Sequence, residues 1–409
     1  MEGGTGGEGL HHDDLPEDLI FRILALLPIR SQVKMRCVCK RWNHLLRTRQ
    51  FQELFKTMPP SSTPAFCIQV DVGQLWVIEK STEYYKLPPM PALMAMGQNS
   101  NPSTIWLAGS SINYSLLKKK NLDEYSYPSF FVCNPAASTW IMLPRPPYKI
   151  EWLTYSFIYA MGFSTCNSSD SERHCTVVFG ESTNSEDDVD YNKIIMEVYD
   201  CESNTWTGPI CVSHGFEDDS IWPVGSGVYS QGKYYWLNLA NRGEVLEFSL
   251  AHPHWTKLPF PGVAASHAAV KNYSSDEDYD DIYNHHIDCV WPWKLTGTDG
   301  RIVVMNKRSL CMWMLNKERG EDGLIQNRWV ELHLDLSYPT YDVAVNNAGQ
   351  ILVVGRNICI YSEEGTRVKT IESCEIEYEY ELHDPKVAFR QFLNVSAFPF
   401  ECNNIWWPN

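Results

Sequence analysis

One phrase recurs about six times between residues 66 and 400: an apolar strand, a short polar turn, then an aromatic residue two or three places before Leu or Pro. The clearest copies are Phe130–Pro135 leading to Trp140 and Leu143-Pro144, Met196–Asp200 leading to Trp206, and Val245–Phe248 leading to Trp255 and Leu258-Pro259. Cys311–Leu315 leads to Trp329 through a longer turn, and weaker copies end at Tyr85 and Val368. These six anchors lie 55, 66, 49, 74 and 39 residues apart. The widest gaps hold the most polar stretches, within Cys166–Asn192 and Asn272–Asn284. Without those inserts the interval falls toward the ~40–50 residues of a propeller blade. Gln231-Gly232, Asp299-Gly300 and Ala348-Gly349 stand upstream of three anchors, each before a β-rich run, as tight hairpins require. Helical periodicity is scarce after residue 55. A mainly β chain ending in a β-propeller of about six blades follows. The anchor tryptophans are expected in the core, wedged between neighbouring blades.

The first sixty residues obey a different period. Asp14 suits the cap of a helix opening at Leu15-Pro16, and Glu17 and Asp18 complement its positive end. Leu15, Leu19, Ile23 and Leu26 fall on one stripe, and Ile20, Leu24 and Leu27 on a second beside it. Pro28 stops the helix. Val33 marks a second helical stretch, and Val38, Trp42, Leu45 and Leu46 a third. Two apolar stripes exceed what so short a segment buries within itself, since chains below about 40 residues rarely complete a core alone. The surplus is expected to be covered by another protein.

Charge separates the two regions as sharply as periodicity does. Residues 15–50 hold eight Lys/Arg against Glu17 and Asp18, a balance of +6; the whole chain carries −16, so the remainder carries −22. Because apolar stripes interleave the basic residues, that face fits an acidic protein partner better than nucleic acid. An acidic body argues against general nucleic-acid binding, which needs clustered cations. No apolar run approaches the ~18–20 residues of a membrane span, and the Gly-, His- and acid-rich start has no signal pattern. Thirteen scattered cysteines, with no Cys-x-x-Cys among them, point to reduced thiols in the cytoplasm or nucleus and exclude a zinc ribbon of ordinary spacing.

The spelling of the helical segment adds to this. Leu-Pro-Glu-Asp-Leu at 15–19, Ile23-Leu24, Leu27-Pro28, Val38-Cys39-Lys40-Arg41-Trp42-Asn43, Leu45-Leu46 and a terminal Phe51 strongly resemble the F-box, the adaptor-binding segment of cullin-RING ubiquitin ligases. The resemblance implies docking on a Skp1-type adaptor and through it on cullin. It assigns Leu15, Pro16, Leu19, Ile23, Leu24, Leu27, Pro28, Val38, Cys39, Trp42, Leu46 and Phe51 as contacts or their support. Cys37 and Cys39 read as small packing residues. The body resembles plant F-box/kelch-repeat and F-box-associated-domain proteins, although the glycine doublet of a kelch blade is missing. The expected layout is a disordered start over 1–13, an F-box over 14–58 and a proline-containing linker over 59–65. A kelch-like propeller over 66–400 and a tail over 401–409 complete it.

No constellation for catalysis stands out. His285-His286, His252-x-His254 and His11-His12 each lack a third ligand, so neither metal nor other cofactor is expected. Phosphate loops, nucleophile elbows and His-Glu-x-x-His are absent from the sequence. Trp222, Trp291 and Trp293 stand next to prolines, where strand pairing is harder, and are candidates for holding a protein substrate on propeller loops. Trp406 and Trp407 fit better as part of ring closure by the last segment. The expected function is a non-catalytic substrate receptor. A scaffold or transcriptional co-regulator that spares its partner is the first alternative, and a propeller enzyme the second.

Overall fold

The computed structural model describes residues 15–27, most of 31–54 and, between Pro64 and Glu401, the strands with their shorter turns. Two compact units make up the chain: Pro64–Glu401, and residues 1–63 together with Cys402–Asn409.

The larger unit holds twenty-four strands among the described residues. They form four four-stranded sheets and one eight-stranded sheet, in which a short parallel pairing of Gly225 and Ser226 with Ala160 and Met161 joins two antiparallel groups of four; the six groups of four are the blades of a propeller. Blade 2 is β4 (Ile105–Ser111), β5 (Tyr114–Lys119), β6 (Ser129–Asn134) and β7 (Thr139–Met142). Blade 3 is β8 (Tyr159–Asn167), β9 (Arg173–Ser182), β10 (Lys193–Asp200) and β11 (Thr205–Ser213). Blade 4 is β12 (Pro223–Ser230), β13 (Lys233–Asn238), β14 (Glu244–Ser249) and β15 (His254–Pro259). Blade 5 is β16 (Trp293–Thr298), β17 (Arg301–Asn306), β18 (Met312–Arg319) and β19 (Ile325–Leu332). Blade 6 is β20 (Thr340–Val345), β21 (Ile351–Gly355), β22 (Ile358–Tyr361) and β23 (Arg367–Ile371).

Blade 1 draws on both ends of the unit. Its strands β1 (Pro64–Asp71), β2 (Gln74–Glu79) and β3 (Glu83–Lys86) are joined by β24 (Ser396–Glu401), which pairs antiparallel with β1 from Pro64↔Glu401 to Gln69↔Ser396. β24 therefore supplies the innermost strand of the first blade. The innermost strands β24, β4, β8, β12, β16 and β20 each touch the next, and β20 returns to β24, so the ring is closed. Ring closure comes from Ser396–Glu401; Trp406 and Trp407 lie outside the described residues.

All six anchors fall on the outermost strand of their blade: Tyr85 on β3, Trp140 on β7, Trp206 on β11, Trp255 on β15, Trp329 on β19 and Val368 on β23. The recurring phrase is the hairpin joining the third and fourth strands. In blade 3 Asp200 Oδ2 accepts from Ser203 N at 3.1 Å and Ser203 Oγ at 2.7 Å, bending the chain so that Trp206 follows six residues later. Asn134, Ser249 and Ser362 occupy the same place before Trp140, Trp255 and Val368. Tight turns between first and second strands use the expected glycines. Gln231 and Gly232 have φ of 51° and 78°, and Gly300 and Gly349 have φ of 83° and 75°.

Each described core cluster of the propeller lies between two blades. Strand residues of period two feed alternate sides. On β17, Ile302 and Val304 pack with blade 4 residues Tyr235 and Val245, whereas Val303 and Met305 pack with Val343 and Val353 of blade 6. Tyr234 and Trp236 of β13 turn the other way, toward Val178 and Met196 of blade 3. Phe66, Ile68 and Ile78 of blade 1 meet Leu352 and Ile360 of blade 6. Both faces of a blade are thus covered, which is why its strands read as apolar runs and not as strict alternation.

Only some of the anchors meet the expectation of a core position. Trp255 is core, 3% exposed, between blades 3 and 4. Trp206 and Trp329 are half-buried, and Trp206 Nε1 donates across to Pro144 O of the preceding blade at 2.9 Å. Val368, on the surface edge of blade 6, is 52% exposed. The closest wedge is instead Trp236, which is fully buried and donates Nε1 to Met161 O at 3.0 Å. A Cβ at Gly227 would stand 2.4 Å from that ring, so the inner strand carries glycine where the indole lies against it.

Candidate docking surface

Helix α1 (Glu17–Leu26) begins two residues later than a cap at Asp14 predicts. Pro16 is the cap residue, without a side-chain cap; its carbonyl accepts from Leu19 N and Ile20 N, both at 3.1 Å. Asp14 lies outside the described residues. Glu17 and Asp18 occupy the first turn, where the helix dipole favours them. At the other end Leu27 is extended, with ψ of 145°, as a residue before proline prefers. Pro28 itself lies outside the described residues.

The two stripes of α1 meet opposite fates. Ile20, Phe21, Leu24 and Ala25 are buried with Leu45, Leu46 and Phe51, and Leu27, Met35, Trp42 and Leu54 pack against them. The Phe21 and Phe51 rings stand 6.0 Å apart and tilted, closing this small core. Leu15, Leu19, Ile23 and Leu26 are 39%, 41%, 48% and 65% exposed, and Val38 is 58% exposed. Leu19, Ile23 and Leu26 on one exposed face of α1, with Leu15 exposed just before it, are what a docking surface looks like. Arg22, Lys34 and Lys40 are exposed in the same segment and give it a basic margin.

The residues assigned by resemblance therefore separate into two groups. Leu15, Pro16, Leu19, Ile23 and Val38 are exposed and free to touch a partner; Leu24, Leu46 and Phe51 are interior and hold the helices that present them. Leu27, Cys39 and Trp42 lie between, half-buried.

Cys39 does more than pack. It stands at the cap of helix α2 (Lys40–Leu45), and its Sγ accepts from Trp42 N at 3.4 Å, the position usually held by Ser, Thr, Asp or Asn. The signal is a short polar-capable side chain just before a helical stretch. Thr48 acts in a similar way beyond the end of α2, accepting from Phe51 N at 3.2 Å and so seating the ring that closes the core.

Of the propeller trio, one residue lies within the described residues. Trp222 and Trp291 lie outside the described residues. Trp293 is 6% exposed, the first residue of β16, with its ring 5.7 Å from Trp313 in the core between blades 4 and 5. Its place is structural, because pairing with Asn306 fixes it in a strand that turns its side chain inward. Of the histidine pairs, His252 and His254 are described, both exposed, and His254 Nε2 hydrogen-bonds Thr256 Oγ1 at 3.0 Å. Among the described residues no cluster of three His, Cys, Asp or Glu is placed to hold a metal, and no helix is long and apolar enough to cross a membrane.

The F-box domain family model matches residues 13–62. An F-box protein of Arabidopsis thaliana is 30% identical over 144 residues, 31% of this chain and 32% of that protein. A protein of the same plant named as F-box/kelch-repeat is 24% identical over 202 residues, 47% of this chain and 46% of that protein. The chain thus spans less than half the length of these relatives. Among solved structures, YjhT is 8% identical with a TM-score of 0.35, covering 65% of this chain and 84% of that one. A Bacteroides uniformis structure named as a 6-phosphogluconolactonase is 9% identical with a TM-score of 0.37, covering 76% of this chain and 97% of that one, too distant to bear on activity. Residues 13–62 are an F-box domain, and the chain that carries it is similar to the F-box proteins of plants, an F-box/kelch-repeat protein among them.

Proposed function

We propose that this chain is the substrate-recognition subunit of an SCF-type ubiquitin ligase. The apolar face of α1 docks on a Skp1-type adaptor, which links it to cullin, and the propeller holds the protein to be ubiquitinated. The observation that carries the reading is the sorting of α1, whose inner stripe completes a core while Leu15, Leu19, Ile23 and Leu26 stay exposed. Covering the exposed portion of each such side chain is worth roughly 1–2 kcal/mol, so four together make a docking face of useful strength. The chain contributes position and no chemistry: holding a target near a charged conjugating enzyme raises the effective concentration of its lysines. A cytoplasmic or nuclear setting belongs to the same proposal and suits the buried thiols of Cys67 and Cys133.

Replacing Leu19 and Ile23 together by serine tests the docking face, because both are exposed and their loss leaves the core intact. Capture of a purified Skp1-type adaptor should fall at least tenfold while the circular dichroism spectrum is unchanged. Undiminished capture would overturn the assignment.

A further inference from the structure

Where the outer strand of blade 2 ends, the chain reads Leu143-Pro144-Arg145-Pro146-Pro147. A proline fixes its own φ at about −65°, and a residue before proline is driven to extended ψ. Leu143, Arg145 and Pro146 each precede a proline, so the segment is held near polyproline II on covalent grounds alone. Its burial repeats at every third residue, the period of that helix. Leu143 is buried and Pro146 half-buried along one edge; Pro144 and Pro147 are both exposed along the second, and Arg145 is exposed on the third.

Two hydrogen bonds hold this ledge on the propeller. Leu143 N donates to Phe130 O at 2.9 Å within blade 2, and Trp206 Nε1 of blade 3 donates to Pro144 O at 2.9 Å. Met142, two residues before Pro144 and 53% exposed, adds apolar surface at its start. From Pro144 to Pro147 is one turn, about 9 Å at 3.1 Å per residue. A segment already fixed in this form gives up little conformational entropy when a partner takes it. Arg145 is the one charged residue between Thr139 and Pro147, so the chemistry of that partner is constrained as well.

We propose that Pro144–Pro147 is a docking ledge for a protein whose proline-reading groove is lined by aromatic rings and carries a carboxylate. The exposed pair, Pro144 and Pro147, fills two successive slots between the rings. Arg145, projecting from a different edge, pairs with the carboxylate. Trp206 is a positioning residue: its N–H fixes the Pro144 carbonyl and with it the angle at which the ledge stands. The apolar face of α1 plays no part in this contact, which holds whether or not that face takes an adaptor.

Purified SH3, WW and EVH1 domains, whose grooves read such segments, serve as probes against the full-length chain by surface plasmon resonance. At least one should capture the chain, and a soluble decaproline peptide should compete. Replacing Pro144 and Pro147 together by alanine should weaken that capture about tenfold or more, because two exposed anchors are lost and no buried side chain is touched. Arg145→Glu leaves both prolines in place and should weaken capture as well. Trp206→Phe, which keeps a ring and removes the donor, should weaken it to a smaller extent. Capture by none of the three domains would overturn the proposal. So would capture that the proline variant retains at parent strength with an unchanged circular dichroism spectrum. Should that spectrum change, Arg145→Glu decides, and capture at parent strength by that variant would overturn the proposal equally.

Discussion

The helical segment and the propeller solve the burial of apolar side chains in opposite ways. Every blade has a neighbour on each side, so β17 can send Ile302 and Val304 one way and Val303 and Met305 the other, and all four are buried. Among the described residues α1 packs on one face, made by Leu45, Leu46 and Phe51, while Leu19, Ile23 and Leu26 stay exposed. The same apolar content thus produces a closed object in one region and an incomplete one in the other. An incomplete core is a physical reason for a partner, whereas a complete one leaves recognition to loops and edges.

The strongest way to break this contrast is to open a blade interface. Trp236→Ala removes a fully buried indole stacked on Tyr234 at 5.6 Å, and should cost about 3–5 kcal/mol. Urea unfolding followed by the β-sheet signal is the measurement; a loss below about 1 kcal/mol would mean that blades 3 and 4 are not held by that wedge. Next, Leu24→Ala and Leu19→Ala should differ in kind. The first, fully buried, should lower the stability of the helical unit by about 2–5 kcal/mol, and the second, 41% exposed, should leave it within about 0.5 kcal/mol while weakening adaptor binding. Equal effects on stability would erase the distinction between the stripes.

Smaller changes sharpen it further. Gly349→Ala meets both a φ of 75° and the Arg301 guanidinium, which lies 2.1 Å from where the Cβ would stand and pairs with Glu363 at 2.9 Å. A loss of about 1–3 kcal/mol, read from the same urea curve, is expected. Smallest is the cap: Cys39→Ala should cost the helical unit about 0.5–1 kcal/mol, and Cys39→Ser should restore it. Thermal melting of the helical signal reads this; an alanine variant as stable as the parent would show that Sγ packs and does not cap.

Much of the propeller is legible because the anchors recur on the outer strand, and Trp140, Trp206, Trp255 and Val368 each follow a turn-forming Asn, Asp or Ser by six residues. The inner strands are not, because their marks are small residues such as Gly162 and Gly227, chosen for the rings of Tyr234 and Trp236 that arrive from another strand. Trp293 shows the same limit: its proline neighbour reads as a loop, yet pairing with Asn306 makes it core. On α1, both stripes have identical spacing, so periodicity counts them but cannot tell which one Phe51, thirty residues on from Phe21, will cover. Asp14 reads as a cap because its side chain suits one, whereas Pro16 holds the position through its backbone carbonyl alone.

The clasp between β1 and β24 also sets a clock. During synthesis, β1 leaves the ribosome more than three hundred residues before the strand it must pair with. For that whole interval the first blade exposes an unpaired inner edge, and the last blade lacks its neighbour. Unpaired edges on nascent chains invite association with other chains. The penalty falls on whichever chains stall before Glu401, so a truncated product of this gene should need chaperone protection that the finished ring does not.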